Sequence, residues 1–351
     1  MTDKIKVIQA VGPKGPGGAE TFFVRLVKAM DKDNRFEVTP LVRPESWVGD
    51  ELAKVGIKVK TAPFSGIFDF KTKGIFKKLA KENNIDIIQT WMSRASKHAP
   101  KIEGVKLMAR MGGYYKLKYY QKCDYIAGNT KALLEYFKEE GWPADRSTYL
   151  PNFAEEPSDS YSNMSVKEAR AHYGLPDDAR VVMVAARLHV VKACDTAIKA
   201  ISQLPEDVHI IFAGIGPDKQ MLKDLSKKLG IENRVHFPGW ESDISRMAKA
   251  SDLWLVPSRH ETLGNVVLEA FMHQMPCVAT KSFGPASLIN SGDNGLLVEI
   301  DEPDEMAEAI KKVLDDKKLA AKLAAAGRKY ADDNFSAEIV LNQYYDFYKK
   351  C

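Results

Sequence analysis

The chain has 351 residues, 45% of them hydrophobic and 28% charged, with four cysteines and a formal net charge of +4. At about 100–200 residues per domain, that length predicts two domains, each able to build its own core, and excludes a small cross-linked module. No window approaches the roughly 18–20 consecutive apolar residues of a membrane span, and Met1-Thr2-Asp3-Lys4 lacks the basic-then-apolar pattern of a secretory leader, so a cytoplasmic location is expected.

Apolar runs of strand character alternate with helical ones along the chain, the pattern of βαβ units on a parallel sheet. In the first half, strands are expected at 5–10, 37–42, 85–89, 106–109 and 125–127, and helices at 19–30 and 73–83. The acidic, Ser-rich stretch from Ala154 to Asn163 has linker composition. It divides an N-terminal domain, 1–155, from a C-terminal domain, 156–335, with a final helix, 336–351, that returns to the first domain. The second half opens on a capping box, Ser165-Val166-Lys167-Glu168, whose helix ends at Gly174. Strands follow at 180–186, 208–213, 235–237, 253–256 and 277–280, with helices at 193–203, 217–229, 243–250 and 265–273. From Pro303 onward the chain reads as helices, and Leu341, Tyr344, Tyr345 and Tyr348 fall at the spacing of one apolar face. The fold class is α/β, with two doubly wound domains.

The small net charge hides an asymmetry. Residues 1–155 carry 27 Lys and Arg against 18 Asp and Glu, whereas the remainder carries 24 against 29. The excess gathers in 71–81 and 101–122, where Lys106, Arg110, Lys116, Lys118 and Lys122 interleave with Tyr114, Tyr115, Tyr119 and Tyr120. Such a pattern fits an anionic interface or, equally, a solvated helix face with its tyrosines turned inward. No nucleic-acid recognition motif accompanies it, so no nucleic-acid partner is expected, and contact with an anionic membrane is the functional alternative. Cys123, Cys194, Cys277 and Cys351 form no CxxC pair, which argues against a disulfide framework or zinc site and for small apolar packing in the first three.

Two turns carry ligand chemistry. The first strand runs into Gly12-Pro13-Lys14-Gly15-Pro16-Gly17-Gly18-Ala19-Glu20 and then a helix, which lets backbone N–H groups approach an anion at the positive helix end. It is neither a Walker loop, which needs Gly-Lys-[Ser/Thr], nor the GxGxxG fingerprint. The stronger signal is Glu261-Thr262-Leu263-Gly264-Asn265-Val266-Val267-Leu268-Glu269. Glu261 follows the strand 253–256 at its carboxyl end, where open α/β sheets bind ligands, and Leu263-Gly264-Asn265 begins a helix with unpaired N–H groups. Glu269, one turn later in an apolar stretch, needs hydrogen bonds that ligand hydroxyls can supply.

Glu261 and Glu269, with seven residues between them, resemble the E-x7-E motif of the retaining glycosyltransferases of the GT-B class, family 4 or group 1 type, which includes sucrose synthases, bacterial mannosyltransferases and lipopolysaccharide core transferases. Arg187 and Lys192 match that family's Arg-x4-Lys pair, Gly214-Ile215-Gly216-Pro217 its G-x-G-P turn, and Val235-His236-Phe237-Pro238-Gly239 the strand and turn beside the nucleotide base. The likeness is close over about 180–298 and includes the Gly17-Gly18 loop. It implies two Rossmann-like domains facing a central cleft, and transfer of a sugar, with retention, from a nucleoside diphosphate donor, UDP being the expected nucleotide, to a hydroxyl of a glycan or lipid-linked acceptor.

On that resemblance Arg187, Lys192 and Glu261 are the catalytic candidates: the two cations offset the charge gained by the leaving diphosphate, and Glu261 binds hydroxyls of the transferred sugar. Gly17, Gly18, Gly214, Gly239, Leu263, Gly264, Asn265 and Glu269 are the donor-binding candidates, Glu269 at the ribose. In the mechanism favoured for these enzymes the departing phosphate takes the acceptor's proton, so no strong base is required. Arg94 and His98 are the acceptor-side candidates, because their segment, Ser93-Arg94-Ala95-Ser96-Lys97-His98, follows a strand end in the first domain; many members carry their histidine elsewhere, in a segment where this chain reads Arg110-Met111-Gly112-Gly113-Tyr114. His189, His236, His260 and His273 are read as structural. The resemblance also points to envelope lipopolysaccharide or polysaccharide assembly at the inner face of the cytoplasmic membrane. No metal or other cofactor is expected, since the only DxD, Asp31-Lys32-Asp33, reads as helix termination. A nucleotide-sugar epimerase of similar fold and a sugar-nucleotide-binding protein without turnover are the alternatives.

Overall fold

Among the described residues, every pairing between the strands of the two sheets is parallel. The computed structural model describes residues 4–66, 69–241 and 243–351, so residues 1–3, part of the expected leader-free start, lie outside it. One sheet consists of β1 (Ile5–Val11), β2 (Phe36–Val42), β3 (Lys60–Thr61), β4 (Ile87–Trp91), β5 (Lys106–Met111), β6 (Tyr125–Gly128) and β7 (Ser147–Tyr149), in the order β3-β2-β1-β4-β5-β6-β7. The other consists of β8 (Arg180–Ala185), β9 (Val208–Ala213), β10 (Val235–Gly239), β11 (Leu253–Val256), β12 (Cys277–Thr280) and β13 (Leu296–Val298), in the order β10-β9-β8-β11-β12-β13. Counted from its own first strand, each sheet runs 3-2-1-4-5-6, the doubly wound order, and the first adds a seventh strand. That order reverses between β1 and β4 and between β8 and β11, so each sheet has a switch point at which the carboxyl ends of the strands can hold a ligand.

The chain forms two compact units, Met1–Phe153 with Ala337–Cys351, and Ala154–Ser336. The first cut falls between neighbours with different loyalties: the Phe153 ring packs edge-on against Phe22 at 5.2 Å, whereas Ala154 enters the core of the second unit. Helices cover both faces of each sheet, so β4, β9, β11 and β12 are buried at every position, as in near-continuous apolar strands of parallel sheets. The capping box at Ser165 forms with both of its hydrogen bonds. Cys123, Cys194 and Cys277 are buried, and burial pushes their thiols up to about 12, which leaves them inert packing groups.

Several elements lay outside the sequence reading. Helices at Trp47–Lys54 and Lys131–Glu139 are capped by Ser46 and Thr130, and a short helix, Met92–His98, follows β4 directly. β4 itself lies two residues later than expected. The Ile85 N–H donates to the Ala80 carbonyl, closing the preceding helix, and Asp86 exchanges bonds with the Lys6 backbone before the strand begins.

The last helix, Ala337–Lys350, belongs to the first unit, where it buries Val340, Leu341, Tyr344 and Tyr348. Beneath it the sheet is polar. Gln9 accepts from Gln89 at 3.1 Å and from the Trp91 indole at 2.8 Å, and donates to the Tyr348 hydroxyl at 3.0 Å; Tyr348 in turn donates to Gln89 at 2.7 Å. Arg110, 2% exposed, donates to Tyr344 at 2.8 Å, to the Leu150 carbonyl and to Asn152, with its guanidinium 4.7 Å from the Phe22 ring centroid and 4.6 Å from that of Trp91. Buried polar groups persist only when satisfied, and here the terminal helix supplies the partners.

Candidate active site

The second unit gathers its polar groups at the carboxyl end of its sheet. Beyond β8 the chain stays extended: the Ala186 N–H donates to the Ala213 carbonyl at 3.0 Å, and the Leu188 N–H to that of Ile215 at 3.1 Å. This stitching demands glycine in the turn after β9. Cβ atoms at Gly214 and Gly216 would fall 2.0 Å from the carbonyl oxygens of Ala186 and Leu188, so any side chain there would push the turn away. The Gly214 N–H also donates to the Gly239 carbonyl at 2.7 Å, joining the ends of β8, β9 and β10. Arg187 is carried on this braced segment with its side chain exposed and without an ion-pair partner among the described residues.

A single helical turn, Val190–Lys192, follows, then Ala193 at φ +48° and the helix Cys194–Ser202. Lys192 forms an ion pair with Glu261, 69 residues away, so two of the three catalytic candidates come together. Their loops are clamped by Arg259, which the sequence reading did not single out. Its guanidinium binds Asp195 through two bonds of 2.9 and 2.8 Å, Asp301 at 2.8 Å and the Val190 carbonyl at 2.6 Å. Burial raises the Asp195 carboxyl, but the bonds from Arg259 outweigh it and leave the group below its ordinary value. Bonds from Asp195 and Asp301 raise Arg259 further, so the clamp remains charged. A bond of 3.2 Å from the His260 N–H to the Val191 carbonyl completes it. No spacing rule foretells this cluster; the only signal was a basic residue beside Glu261.

Gly264, at φ +79°, starts the helix Asn265–Met272 without a side-chain cap. The Gly284 N–H donates to the Glu261 carbonyl at 2.6 Å, and a Cβ at Gly284 would lie 2.6 Å from the Gly264 nitrogen, so the 261–264 turn rests on the helix Phe283–Leu288. Leu263 and Gly264 are buried, and Asn265 and Glu269 half-buried. The Glu269 carbonyl faces Nδ1 of His273 at 2.7 Å, and Nε2 of that ring faces Ser245 at 2.9 Å, which makes His273 a packing residue.

In the first unit, Gly17 caps the helix Gly18–Lys32, and a Cβ on it would meet the Glu20 carboxylate at 2.5 Å. Burial raises the Glu20 carboxyl, with an opposing bond from its own backbone. The aliphatic stem of Arg94 covers Gly12, where a Cβ would meet it at 2.8 Å, and its guanidinium donates to the Phe64 carbonyl at 3.2 Å. His98 is half-buried, and both ring nitrogens face carbonyls: Nδ1 that of Arg94 at 2.9 Å and Nε2 that of Gly66 at 3.2 Å, with Asp69 3.9 Å away. The ring thus braces the loop before the helix Phe70–Glu82. Of the DxD triplet, Asp33 is bound by its neighbour Arg35, with bonds down to 2.6 Å, and ends the first helix.

The basic, tyrosine-rich segment divides between the two readings offered for it. Tyr120 is buried and Tyr115 and Tyr119 half-buried, whereas Tyr114, Lys116 and Lys118 face outward. Among the described residues no helix is long and apolar enough to cross a membrane.

Comparison with known proteins gives this geometry its context. Residues 165–330 match the family described as Glycosyl transferases group 1. The chain is 32% identical over 336 residues to the lipopolysaccharide core biosynthesis glycosyltransferase LpsE of Rhizobium meliloti, spanning 93% of this chain and 94% of that protein. It is 28% identical to LpsD of the same organism, over 95% of each. The solved structure of Anabaena Alr3699/HepE in complex with UDP superposes with a TM-score of 0.86 at 21% identity, covering 99% of this chain and all of that one. With a relative this similar along nearly its whole length and two doubly wound domains of the GT-B kind, the chain belongs to the group 1 glycosyl transferases.

Proposed function

We propose that this glycosyltransferase moves a sugar from a nucleoside diphosphate donor, with UDP as the nucleotide, to a hydroxyl of an envelope glycan or lipid-linked acceptor in lipopolysaccharide core or polysaccharide assembly, with retention and without a metal. The observation that carries the reading is the Lys192–Glu261 pair, held by Arg259 beside the braced segment of Arg187 at the end of β8. The names of LpsE and LpsD support the acceptor class, and the UDP bound to Alr3699/HepE supports the nucleotide.

The chemistry follows from charge. As the bond between the sugar and the β-phosphate breaks, the diphosphate gains negative charge, and cations already in place stabilise that state more than the ground state. Arg187 offers a planar fork suited to phosphate oxygens, and Lys192 a compact charge. The amides at Leu263 to Asn265 add the positive end of a helix. Glu261 accepts from hydroxyls of the transferred sugar while its bond to Lys192 keeps the ammonium oriented, and Glu269 accepts from the ribose. The departing phosphate takes the proton of the acceptor hydroxyl on the same face, so the anomeric configuration is kept.

The first unit offers a surface to a lipid-borne acceptor. Phe70 is 71% exposed at the head of a helix whose Lys71, Lys73, Lys77, Lys78 and Lys81 all face solvent. An apolar side chain among cations suits an anionic bilayer surface.

Incubation with UDP-, GDP- and ADP-sugars and a core oligosaccharide acceptor, with nucleotide release measured and the product analysed by NMR, tests the reading. Release of UDP, a product of unchanged anomeric configuration and indifference to EDTA are expected. An epimerised donor with no transfer, or an inverted product, would overturn it. Flotation with anionic vesicles at low salt tests the membrane contact, and failure to float would remove it.

A further inference from the structure

Beyond β12 a phenylalanine stands in solvent beside the loop of Glu261. Phe283 opens the helix Phe283–Leu288 and is 44% exposed, while Ser282 before it and Gly284 and Pro285 after it are buried. A single exposed apolar residue is ordinary on any protein surface. This one differs in that its backbone is built into the candidate active site.

The anchorage lies on both sides of the ring. Before it, the Thr280 hydroxyl at the end of β12 donates to the Ser258 carbonyl beyond β11 at 2.6 Å, and the Lys281 N–H donates to the Val298 carbonyl of β13 at 2.8 Å. After it, the Gly284 N–H makes the 2.6 Å bond to the Glu261 carbonyl already described. A Cβ on Gly284 would lie 2.6 Å from the Leu263 carbonyl carbon and 2.9 Å from the Glu261 carbonyl oxygen, so the two loops meet through bare backbone. The peptide that carries Phe283 is therefore the one bonded to Glu261, and the ring cannot leave the neighbourhood of that residue without breaking the contact.

The strand order gives the donor a direction. In β8-β11-β12, Arg187 and Lys192 lie beyond the first strand and take the phosphates, and Glu261 lies beyond the second and takes sugar hydroxyls. The next strand in that direction, about 4.8 Å further along the edge, is the one that leads to Phe283. A pyranosyl group has hydroxyls at its rim and C–H bonds on its faces. The Lys192–Glu261 pair suits the rim, whereas the negative face of an aromatic ring suits the C–H bonds, and ligand sites commonly join an apolar wall to a few oriented polar groups. We infer that the Phe283 ring is the wall of the subsite for the transferred sugar, packed against a C–H face of the pyranose whose hydroxyls bind Glu261. The inference rests on the donor reading above. It makes Phe283 a specificity residue, because inverting one ring carbon exchanges a C–H for a hydroxyl on the face that meets the ring.

Calorimetric titration of the whole chain with UDP, UDP-glucose, UDP-galactose and UDP-N-acetylglucosamine tests it, using wild type, Phe283→Ala, Phe283→Leu and Phe283→Tyr. In Phe283→Ala the Kd for the UDP-sugar that wild type binds most tightly should rise roughly 3- to 10-fold, the scale of one aromatic contact. The Kd for UDP should stay within twofold, and the spread of affinity among the UDP-sugars should narrow. Phe283→Tyr keeps the ring and should recover most of the loss, and Phe283→Leu should recover less. A change of less than twofold for every UDP-sugar in Phe283→Ala would overturn the wall and leave the donor reading standing. An equal rise in the Kd for UDP would also overturn it, since the damage would then lie in the loops and not at the sugar. Failure of wild type to bind UDP would overturn the donor reading itself.

Discussion

The two units share a strand order and put their polar residues to opposite uses. In the first, Gln9, Gln89, Arg110, Tyr344 and Tyr348 satisfy one another inside the molecule, and the result is attachment of the terminal helix. In the second, Arg187, Lys192, Glu261 and Arg259 cluster beyond the strand ends, partly open to solvent. A doubly wound sheet offers a switch point in both cases, but only in the second do the described loops beyond the strands carry this charged cluster held in position and still accessible. Fold alone does not choose between them.

The largest expected effect lies in the second unit. Lys192→Ala and Glu261→Ala should each lower kcat about 10²- to 10³-fold, as loss of one preorganised charge-stabilising group does, with circular dichroism and thermal unfolding near wild type. Unchanged turnover in both would break the contrast between the units at its centre. Arg259→Ala should lower kcat up to about 100-fold by releasing the loops of Lys192 and Glu261, a misplacement effect. Lysine at 259 should rescue little, because it lacks the fork that engages Asp195. Full activity in Arg259→Ala would show that the pair holds its place unaided.

A smaller and purely structural effect is expected in the first unit. Tyr348→Phe leaves donor and acceptor groups of Gln9 and Gln89 without a partner and should lower unfolding free energy by about 1–3 kcal/mol in a urea titration, with UDP affinity unchanged. A loss of UDP affinity would mean that the buried network serves the donor site after all.

Acid should separate the units most gently. In the second, burial and then the neighbouring His209 push His236 down to about 4. It is neutral in the fold, whereas in the unfolded chain it takes up a proton near 6.5, so between those values the unfolded state binds more protons and stability falls as pH drops through the window. His236→Asn should flatten the fall in urea midpoint between about pH 6.5 and 4. In the first unit, burial raises the Asp69 carboxyl, but bonds from Thr72 and Ser65 overcome this and hold it at about 2. Its contribution is present above 3.8 and is lost as pH falls through about 2, so Asp69→Asn should leave the slope between pH 6.5 and 4 untouched.

What could be read from the residues was what neighbours along the chain decide. Strands such as 208–213 and 253–256, the capping box at Ser165, the glycine turn 214–216 and the spacing of Glu261 and Glu269 each depend on a few consecutive residues, and each is present where expected. The E-x7-E spacing is legible in the sequence, because a helix start and a position one turn later are local geometry. The apolar face of 341–348 was legible too, as a period.

Tertiary structure alone decided how distant residues pair. Arg259 meets Asp195 across 64 residues, and Arg110 meets Tyr344 across 234. His98, a plausible acceptor contact by position, finds both ring nitrogens facing carbonyls, one of them 32 residues away, and becomes a brace. Phe283 reads in sequence as one more apolar residue, and only the meeting of two loops at Glu261 and Gly284 leaves it displayed beside the site. Side-chain type and spacing determine secondary structure because those forces act over a few residues. Which charge is paired, which aromatic is displayed and which histidine is held between carbonyls depend on folding that brings remote segments together, and no local pattern encodes that.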